Sequence, residues 1–125
     1  MSVLVDTSVL IDHLRGDERA LHALERHRAS GPLHSSEMVR LEILADMRPA
    51  EEAATRILLD SLIWHPVDTG IAEDAGALGR RWLPSHHTID SADLAIAATA
   101  LQLGLPLLTT NVRHFPMFDQ LRAPY

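Results

Sequence analysis

Short runs of apolar residues alternate along the chain with stretches in which apolar residues recur every three or four positions. Residues 2–5 are apolar and partly β-branched, which is typical of a strand buried on both faces of a parallel sheet. Residues 33–35 and 107–110 are two further candidate strands. Residues 63–67 are a weaker candidate, and their proline favours the edge of a sheet.

The segments between these runs carry apolar residues at helical spacing. The stripes contain Val9, Leu10 and Leu14; Ala20, Leu21 and Leu24; Met38, Leu41 and Leu44; Ala54, Ile57, Leu58 and Leu62; and Ile71, Ala75, Leu78 and Trp82. Ser35 or Ser36 is predicted to cap the third helix. An alanine-rich helix is predicted over residues 90–103, ended by Gly104. This alternation predicts a single α/β domain over residues 1–125, a small parallel sheet flanked by helices.

Two amino acids are missing from the composition. The chain contains no Cys, which excludes disulfides, thiolate metal sites and cysteine nucleophiles. It contains no Lys either, because all eleven basic residues are Arg, and this excludes a P-loop lysine and lysine bases. The net charge of −6 disfavours a protein that coats DNA, but it suits a basic partner or acids gathered at a metal site.

The sequence shows no sign of export or of membrane insertion. Asp6 interrupts the apolar N-terminal run, and no basic segment precedes it, so a signal peptide is not expected. The longest uncharged stretch, residues 94–112, contains Gly104, Pro106 and Asn111, and these favour a helix, a turn and a strand over a membrane span. We therefore expect a cytoplasmic protein without membrane contact.

Three acidic residues occupy segments that otherwise look buried. Asp6 ends the first strand, Glu42 lies between Leu41 and Ile43, and Asp93 lies within the alanine-rich helix. Burying an unpaired carboxylate is costly, so each needs an explanation. In parallel sheets, ligands bind beyond the carboxyl ends of the strands, where Asp6 and the single Asn of the chain, Asn111, are both expected.

A shared site would carry a large electrostatic cost unless it bound a cation. Carboxylates about 5–6 Å apart repel by roughly 3 kcal/mol a pair at an effective dielectric of 20. Three pairs approach the whole stability of a domain, roughly 5–15 kcal/mol. A hard divalent cation relieves this repulsion, and oxygen ligands favour Mg²⁺ or Mn²⁺. The chemistry indicated is metal-assisted attack of water on a phosphodiester.

Each acid also has a purely structural interpretation. Asp6 and Asp90 are candidate N-caps, and Asp93, three residues after Asp90, is the candidate acid of a capping box. Glu42 is a candidate for a solvated rim position on its helix. The presence of three such acids at similar depth nevertheless favours one shared site.

Three segments of the chain resemble PIN-domain proteins, in particular the VapC toxins of type II toxin–antitoxin (VapBC) systems. The segments are residues 5–12 with 14–16 (VDTSVLID and LRG), 89–100 (IDSADLAIAATA) and 107–115 (LLTTNVRHF). They follow the family's order over residues 3–121. The motif D-T-S alone is common, but the three segments together are specific.

The resemblance implies a PIN fold and a Mg²⁺-dependent endoribonuclease toxin, neutralised by a VapB-type antitoxin and forming a homodimer. It assigns the three acidic positions to Asp6, Glu42 and Asp93, and the fourth polar position, where many relatives have Asp, to Asn111. It further places Thr7 or Ser8 where a hydroxyl binds a metal-held water or a phosphate. Arg113 stands where a basic residue can hold the RNA backbone.

Several alternatives remain open at this stage. Asn111 in place of Asp removes a charge, and Asp46 stands where relatives often have Gly, one turn from Glu42. Asp90 is a rival for the third acid, although the spacing to Ile96 favours Asp93. The rival functions are a PIN-like domain that binds RNA or protein without cleaving it, and another Mg²⁺-dependent phosphate-transfer enzyme. Receiver domains require a lysine, however, and dehalogenase-like phosphatases require Asp-x-Asp after the first strand.

Histidines and tryptophans offer weaker candidates for chemistry. His86 and His87 are adjacent, a spacing that rarely shares one ion, so a polar loop is the better interpretation. His114 is a candidate either for contact with RNA or for a structural role. Trp64 and Trp82 lie on apolar stripes and are expected in the core.

Overall fold

The computed structural model describes residues 2–125, which form a parallel sheet with helices packed around it. The strands are β1 (Val3–Val5), β2 (Leu33–Ser36), β3 (Ile63–His65) and β4 (Leu107–Leu108), in the spatial order β3-β2-β1-β4. Each connection between them contains a pair of helices. These are α1 (Thr7–Leu14) and α2 (Glu18–Arg28), then α3 (Glu37–Asp46) and α4 (Glu52–Asp60), then α5 (Thr69–Trp82) and α6 (Ser91–Leu103). The predicted α/β class and the edge position of the third strand are both confirmed.

The order of the strands reverses beside β1. The chain moves outward from β1 through β2 to β3, and then returns to pair β4 with the opposite edge of β1. In open parallel sheets such a reversal leaves a crevice beyond the carboxyl ends of the two strands, and ligands bind there. Asp6 directly follows β1 and Thr109 directly follows β4, so the fold brings both to this crevice.

The middle of helix α6 is buried on all sides. Every residue from 93 to 100 is buried, including the carboxylate-bearing Asp93. A helix surrounded by protein needs no polar face, which explains its alanine-rich sequence. α5 packs closely against it at Gly79, where an added Cβ would lie 3.2 Å from Leu94 Cδ1. Asp93 is therefore held in a rigid, closely packed element.

The segment after β4 is anchored by an aromatic residue. Phe115 is 1% exposed and is among the largest fully buried side chains, with its ring 6.3 Å from that of Phe118. This anchor directly follows the 3₁₀ turn Val112–His114, whose last residue contacts Asp93 of α6. Within residues 2–125, none of the helices is long and apolar enough to cross a membrane.

Several elements are shorter than the periodicity predicts. α4 ends at Asp60 and not at Leu62, because the Ser61 hydroxyl donates to the Leu58 carbonyl at 2.6 Å and ends the helix. β3 ends at His65, because Pro66 has no N–H to donate. β1 begins at Val3, one residue later than predicted.

The last predicted strand, over residues 107–110, is also shorter in the structure, where β4 ends at Leu108. It ends because the Thr109 hydroxyl accepts a hydrogen bond from the amide of Asn111, which turns the chain. The predicted cap of α3 is confirmed at Ser36, whose hydroxyl accepts from the amide of Met38 at 3.1 Å.

Candidate active site

A cleft of about 290 Å³ opens at the carboxyl end of the sheet, beside β1. Six of the predicted site residues line it: Asp6, Thr7, Ser8, Glu42, Asp93 and Asn111. They come from four separate parts of the chain, namely the β1–α1 junction, α3, α6 and the turn after β4. The tertiary structure thus brings the acids of three elements to one cavity.

Asp6 is the most deeply buried carboxylate of the cleft, with 4% of its surface exposed. Its Oδ2 accepts hydrogen bonds from the Thr109 hydroxyl at 2.7 Å and from the Ser8 hydroxyl at 3.2 Å. Burial raises the pKa of Asp6, and these two hydroxyls oppose that rise. Asp6 occupies the N-cap position of α1, but its side chain makes no capping hydrogen bond. Its hydrogen bonds hold it in the cleft instead.

Glu42 points into the cleft from the middle of α3 and is half-buried. The Thr7 hydroxyl donates to Glu42 Oε1 at 2.6 Å and ties α3 to the start of α1. Burial raises the pKa of Glu42, and the negative charges of Asp6 and Asp90 raise it further. The alternative of a solvated position on the outer face of the helix does not hold for this residue.

Asp90 and Asp93 form the predicted capping box at the start of α6, and both line the cleft. Asp90 Oδ1 accepts from the Asp93 amide at 2.8 Å, and Asp93 Oδ2 accepts from the Asp90 amide at 3.2 Å. Burial, followed by the charge of Asp90, raises the pKa of Asp93 to about 6. The structural and the site interpretations of these acids therefore hold together, because one carboxylate oxygen caps the helix while the side chain faces the cavity.

The hydroxyls beside the first acid hold carboxylates in place. Thr7 binds Glu42, as described above, and Ser8 binds Asp6 while accepting from the amide of Thr110 at 3.1 Å. Each hydroxyl thus fixes a different acid. The contact of either hydroxyl with a metal-held water or a phosphate stays a prediction.

The turn after β4 carries three polar side chains, two of which line the cleft. Asn111 and His114 are lining residues, whereas Arg113 is exposed and is not among them. His114 Nδ1 lies 2.9 Å from Asp93 Oδ2, which makes it a direct partner of the third acid. The sequence presents His114 only as a candidate. Its place in the motif beside Asn111 was the available signal.

Asp46 does not join the cleft, although it lies one turn from Glu42. It is exposed at the end of α3, where it forms an ion pair with Arg15 at 2.9 Å. Arg15 also pairs with Glu51 at 3.0 Å, so it links the ends of α1 and α3 with the turn before α4. Asp46 therefore has a role in bracing the helices.

The other histidine and tryptophan predictions concern residues outside the cleft. His86 packs edge-on against Trp82 and bonds to the Ser85 hydroxyl, and His87 is exposed in the loop before α6. Trp64 is partly buried against the core and donates to the Leu59 carbonyl at 2.7 Å, as expected of a structural residue.

The donor chemistry of the cleft fits a hard divalent cation. All the candidate ligands are carboxylate oxygens. The charges of Asp6 and Asp90 raise the pKa of Glu42, and the charge of Asp90 also raises the pKa of Asp93. A bound cation would relieve this repulsion between carboxylates. Within residues 2–125, no three His, Asp or Glu side chains are already drawn together at ligand distances. The acids therefore fit a divalent cation by the chemistry of their oxygen atoms.

Comparison with known proteins places this cleft in a family. Residues 3–120 match the PIN domain family. The chain belongs to that family. It is 45% identical to Ribonuclease VapC19 of Mycobacterium tuberculosis, over 98% of both chains, and 44% identical to Ribonuclease VapC10 of the same organism, over 98% of this chain and 92% of the relative. A solved toxin–antitoxin complex from Klebsiella pneumoniae superposes with a TM-score of 0.82 at 29% identity, over 98% of both chains.

The resemblance read from the sequence is confirmed by these matches. The PIN domain also holds residues in its cleft that sequence reasoning did not assign to the site. Asp12 of α1 is one of them, and it accepts a hydrogen bond from the Tyr125 hydroxyl at 2.6 Å. Asp12 lies in the motif of residues 5–12, directly after Ile11. Nothing in that motif indicates a contact with Tyr125, which is 113 positions further along the chain.

Proposed function

We propose that this PIN domain is an endoribonuclease that depends on a divalent cation, with Mg²⁺ as the ion and Mn²⁺ as its substitute. The observation that carries the proposal is the convergence of Asp6, Glu42 and Asp93, from three separate elements, on one cleft at the carboxyl end of the sheet. The relatives named as ribonucleases support RNA as the substrate. The whole of residues 1–125 would act as a single domain.

In this proposal, Asp6, Glu42 and Asp93 hold the cation. Such an ion, when bound, acidifies a water and offsets charge on the phosphate oxygens. Four neighbouring groups keep the acids oriented in its absence: the hydroxyls of Thr109 and Ser8 at Asp6, that of Thr7 at Glu42, and the His114 ring at Asp93. Each of these contacts restrains one carboxylate and so reduces the cost of ordering that side chain when a ligand binds.

The RNA would be held by the turn after β4. Asn111 lines the cleft, and its amide can donate to a non-bridging phosphate oxygen. Arg113, two positions further along and not among the lining residues, can pair with the next phosphate along the strand. The Thr7 and Ser8 hydroxyls each have one proton, which a carboxylate accepts, so we propose that each accepts from a metal-held water. Contact with a phosphate would require the hydroxyl to turn away from its carboxylate. Asn111 replaces the acid found in many relatives, so we propose that one cation suffices here.

A metal-dependent melting experiment tests the site independently of RNA. In millimolar Mg²⁺ or Mn²⁺, the melting temperature of the wild-type protein should rise, because binding to the folded state alone stabilises it. Asp6→Asn, Glu42→Gln and Asp93→Asn should each lose that rise. Asp74→Asn, which changes an exposed acid on α5 outside the cleft, is the matched control and should keep it.

Cleavage of RNA tests the activity itself. Wild-type protein and Asp74→Asn should cut single-stranded RNA in Mg²⁺ but not in chelator, whereas Asp6→Asn should be at least about a hundred-fold slower. Full cleavage by Asp6→Asn would remove the catalytic assignment. A metal-dependent rise in melting temperature without any RNA cleavage would favour the rival function, a PIN domain that only binds.

We also propose that the protein is the toxin of a VapBC-type pair and works as a homodimer in the cytoplasm. The Klebsiella pneumoniae relative is a toxin–antitoxin complex, which supports the first part. The net charge of −6 and the acidic cleft would suit a basic segment of a VapB-type antitoxin, and an antitoxin Arg placed among the carboxylates would exclude the cation. This pairing is tested by co-expressing the protein with the product of the neighbouring gene. The two should purify as a complex, and the complex should not cleave RNA.

A further inference from the structure

The side chain of Tyr125 reaches back across the molecule to the rim of the active-site cleft. Its hydroxyl donates to Asp12 Oδ2 at 2.6 Å, and its ring packs against the hydrophobic core. Asp12 belongs to α1 and lines the same cleft as Asp6 and Glu42. The groups that orient the three acids do not contact Asp12, so the proposed metal site assigns no role to this carboxylate.

A second contact keeps Tyr125 in this place. The guanidinium of Arg19 lies 5.0 Å from the centre of the Tyr125 ring, in a cation–π arrangement. Arg19 is itself held by both carboxylate oxygens of Asp17, at 3.1 and 2.8 Å. The amide of Asp17 in turn donates to the backbone carbonyl of Asp12 at 3.0 Å, which closes the chain of contacts. The Asp12 carboxylate is thus held through Tyr125 by a connected set of contacts on α1 and α2.

The fixed carboxylate retains hydrogen-bonding capacity, and its residue lines the cleft. Tyr125 occupies one acceptor position of Oδ2, and within residues 2–125 no hydrogen bond engages Oδ1. An ionised carboxylate offers about four acceptor positions and no donor. A ligand group that uses both oxygens at once presents two donors side by side.

Among the RNA bases, only guanine has such an edge. Its N1–H and N2–H₂ donors are adjacent on the Watson–Crick edge, and that edge is free in single-stranded RNA, where specific recognition occurs. Adenine and cytosine present one donor beside a ring-nitrogen acceptor, which a carboxylate repels. Uracil presents a single donor between two carbonyl oxygens.

We propose that Asp12, held in place by Tyr125, is a specificity-determining residue that reads a guanine next to the cleaved phosphodiester. This inference rests on the proposed ribonuclease function and names the base that the same cleft selects. Tyr125 is a positioning residue, because it acts through Asp12 and does not itself contact the base.

The test uses RNA hairpins that are identical except for one loop base, with each of the four bases placed in turn on either side of the cleavage position. Wild-type protein should cleave the guanine hairpin with a kcat/KM about ten-fold or more above the others, the usual discrimination of a good two-bond base contact. Asp12→Asn, which carries one donor and one acceptor, should lose that preference and shift toward adenine and cytosine.

Two further variants distinguish a role of Tyr125 in base recognition from a role in folding alone. Tyr125→Phe keeps the ring but removes the donor, so KM should rise several-fold for the guanine hairpin and stay unchanged for the others. Asp74→Asn should keep the wild-type preference. The melting temperature of each variant establishes that it is folded. Equal cleavage of the four hairpins by the wild type, or the same preference in wild type and Asp12→Asn, would overturn the inference.

A binding measurement distinguishes failure of this inference from failure of the ribonuclease function. The same hairpins are titrated by fluorescence anisotropy in chelator, where the proposed metal-dependent hydrolysis does not proceed. Guanine-selective binding that Asp12→Asn removes would support the inference even if the wild type cleaved nothing, and only the ribonuclease function would then fail. Binding that is indifferent to the loop base would overturn it, whatever the cleavage result.

Discussion

The hydroxyl of Thr109 donates to Asp6 Oδ2 at 2.7 Å and joins two residues that are 103 positions apart. Thr109 follows β4 and Asp6 follows β1, so this hydrogen bond spans the carboxyl ends of two neighbouring strands. Both residues are almost fully buried. The register of the sheet therefore supplies the hydrogen-bond donor that offsets part of the cost of burying Asp6.

Replacing Thr109 by Val should destabilise the protein by about 1–3 kcal/mol, because the change keeps the shape but leaves a buried carboxylate with one donor fewer. The weaker orientation of Asp6 should also lower the affinity for divalent cations. Urea unfolding and calorimetric titration with Mn²⁺ measure the two effects.

Thr99→Val is the matched control for this change. Thr99 is equally buried, but its hydroxyl donates to the neutral Ala95 carbonyl within α6. The control should leave cation affinity unchanged. Equal losses of cation affinity in the two variants would contradict a specific role for Thr109.

The raised pKa of Asp93 predicts a pH dependence of stability. Burial and the charge of Asp90 raise this pKa from the ordinary 3.8 to about 6. Between these pH values the folded protein keeps a proton at Asp93 that the unfolded chain has released, so this residue's contribution to the free energy of unfolding falls as the pH rises. The fall amounts to at most about 3 kcal/mol, at about 1.4 kcal/mol for each pKa unit.

The measurement compares wild type with Asp93→Asn, which cannot titrate. In chelator, the free energy of unfolding of the wild type should drop relative to that of the variant between pH 4 and pH 6.5, and Mn²⁺ should reverse the drop by binding the ionised form. The free energy of unfolding must be compared between the two proteins, because other groups also change it in this pH range. Burial lowers the pKa of His27 and His34, for example, and both proteins contain these histidines. Parallel pH profiles would show that Asp93 titrates normally.

The contact between His114 and Asp93 predicts an effect on metal binding. His114→Gln removes the ring whose Nδ1 lies 2.9 Å from Asp93 Oδ2, and loss of such a supporting contact typically weakens metal affinity roughly ten- to a hundred-fold. Calorimetry with Mn²⁺ measures the affinity directly. His22→Gln, at an exposed position on α2, should bind the ion as the wild type does. Unchanged affinity in His114→Gln would leave this histidine with a structural role alone.

The exposed position of Arg113 predicts a role in RNA affinity without a role in folding. Within residues 2–125, this guanidinium makes no ion pair, so it is available to a phosphate. Arg113→Gln should weaken RNA binding and reduce the slope of log K against log salt by about 0.7, the value for one phosphate contact on a single strand. Arg80→Gln on α5 is the control. An unchanged slope would place the RNA elsewhere.

Local patterns were sufficient to predict the type and order of the elements. Hydrophobic periodicity and capping residues act over a few positions, and Ser36 and the Asp90–Asp93 box occur where those rules place them. The ends of α4 and β4 were predicted too late, because side chains of Ser61 and Thr109 bond to the backbone there in place of the regular pattern.

The sequence by itself also indicated the family, through three segments in the family's order. It singled out the three acids that line the cleft, since charged residues stand out against apolar neighbours. Only the tertiary structure decided which neighbours these acids have. Glu42 enters the cleft while Asp46 pairs with Arg15, although the two lie on the same helix. His114 reaches Asp93, and Tyr125 reaches Asp12 from 113 positions away. Such contacts depend on strand register and on how each helix is rotated against the sheet, and both are set by packing across the whole molecule.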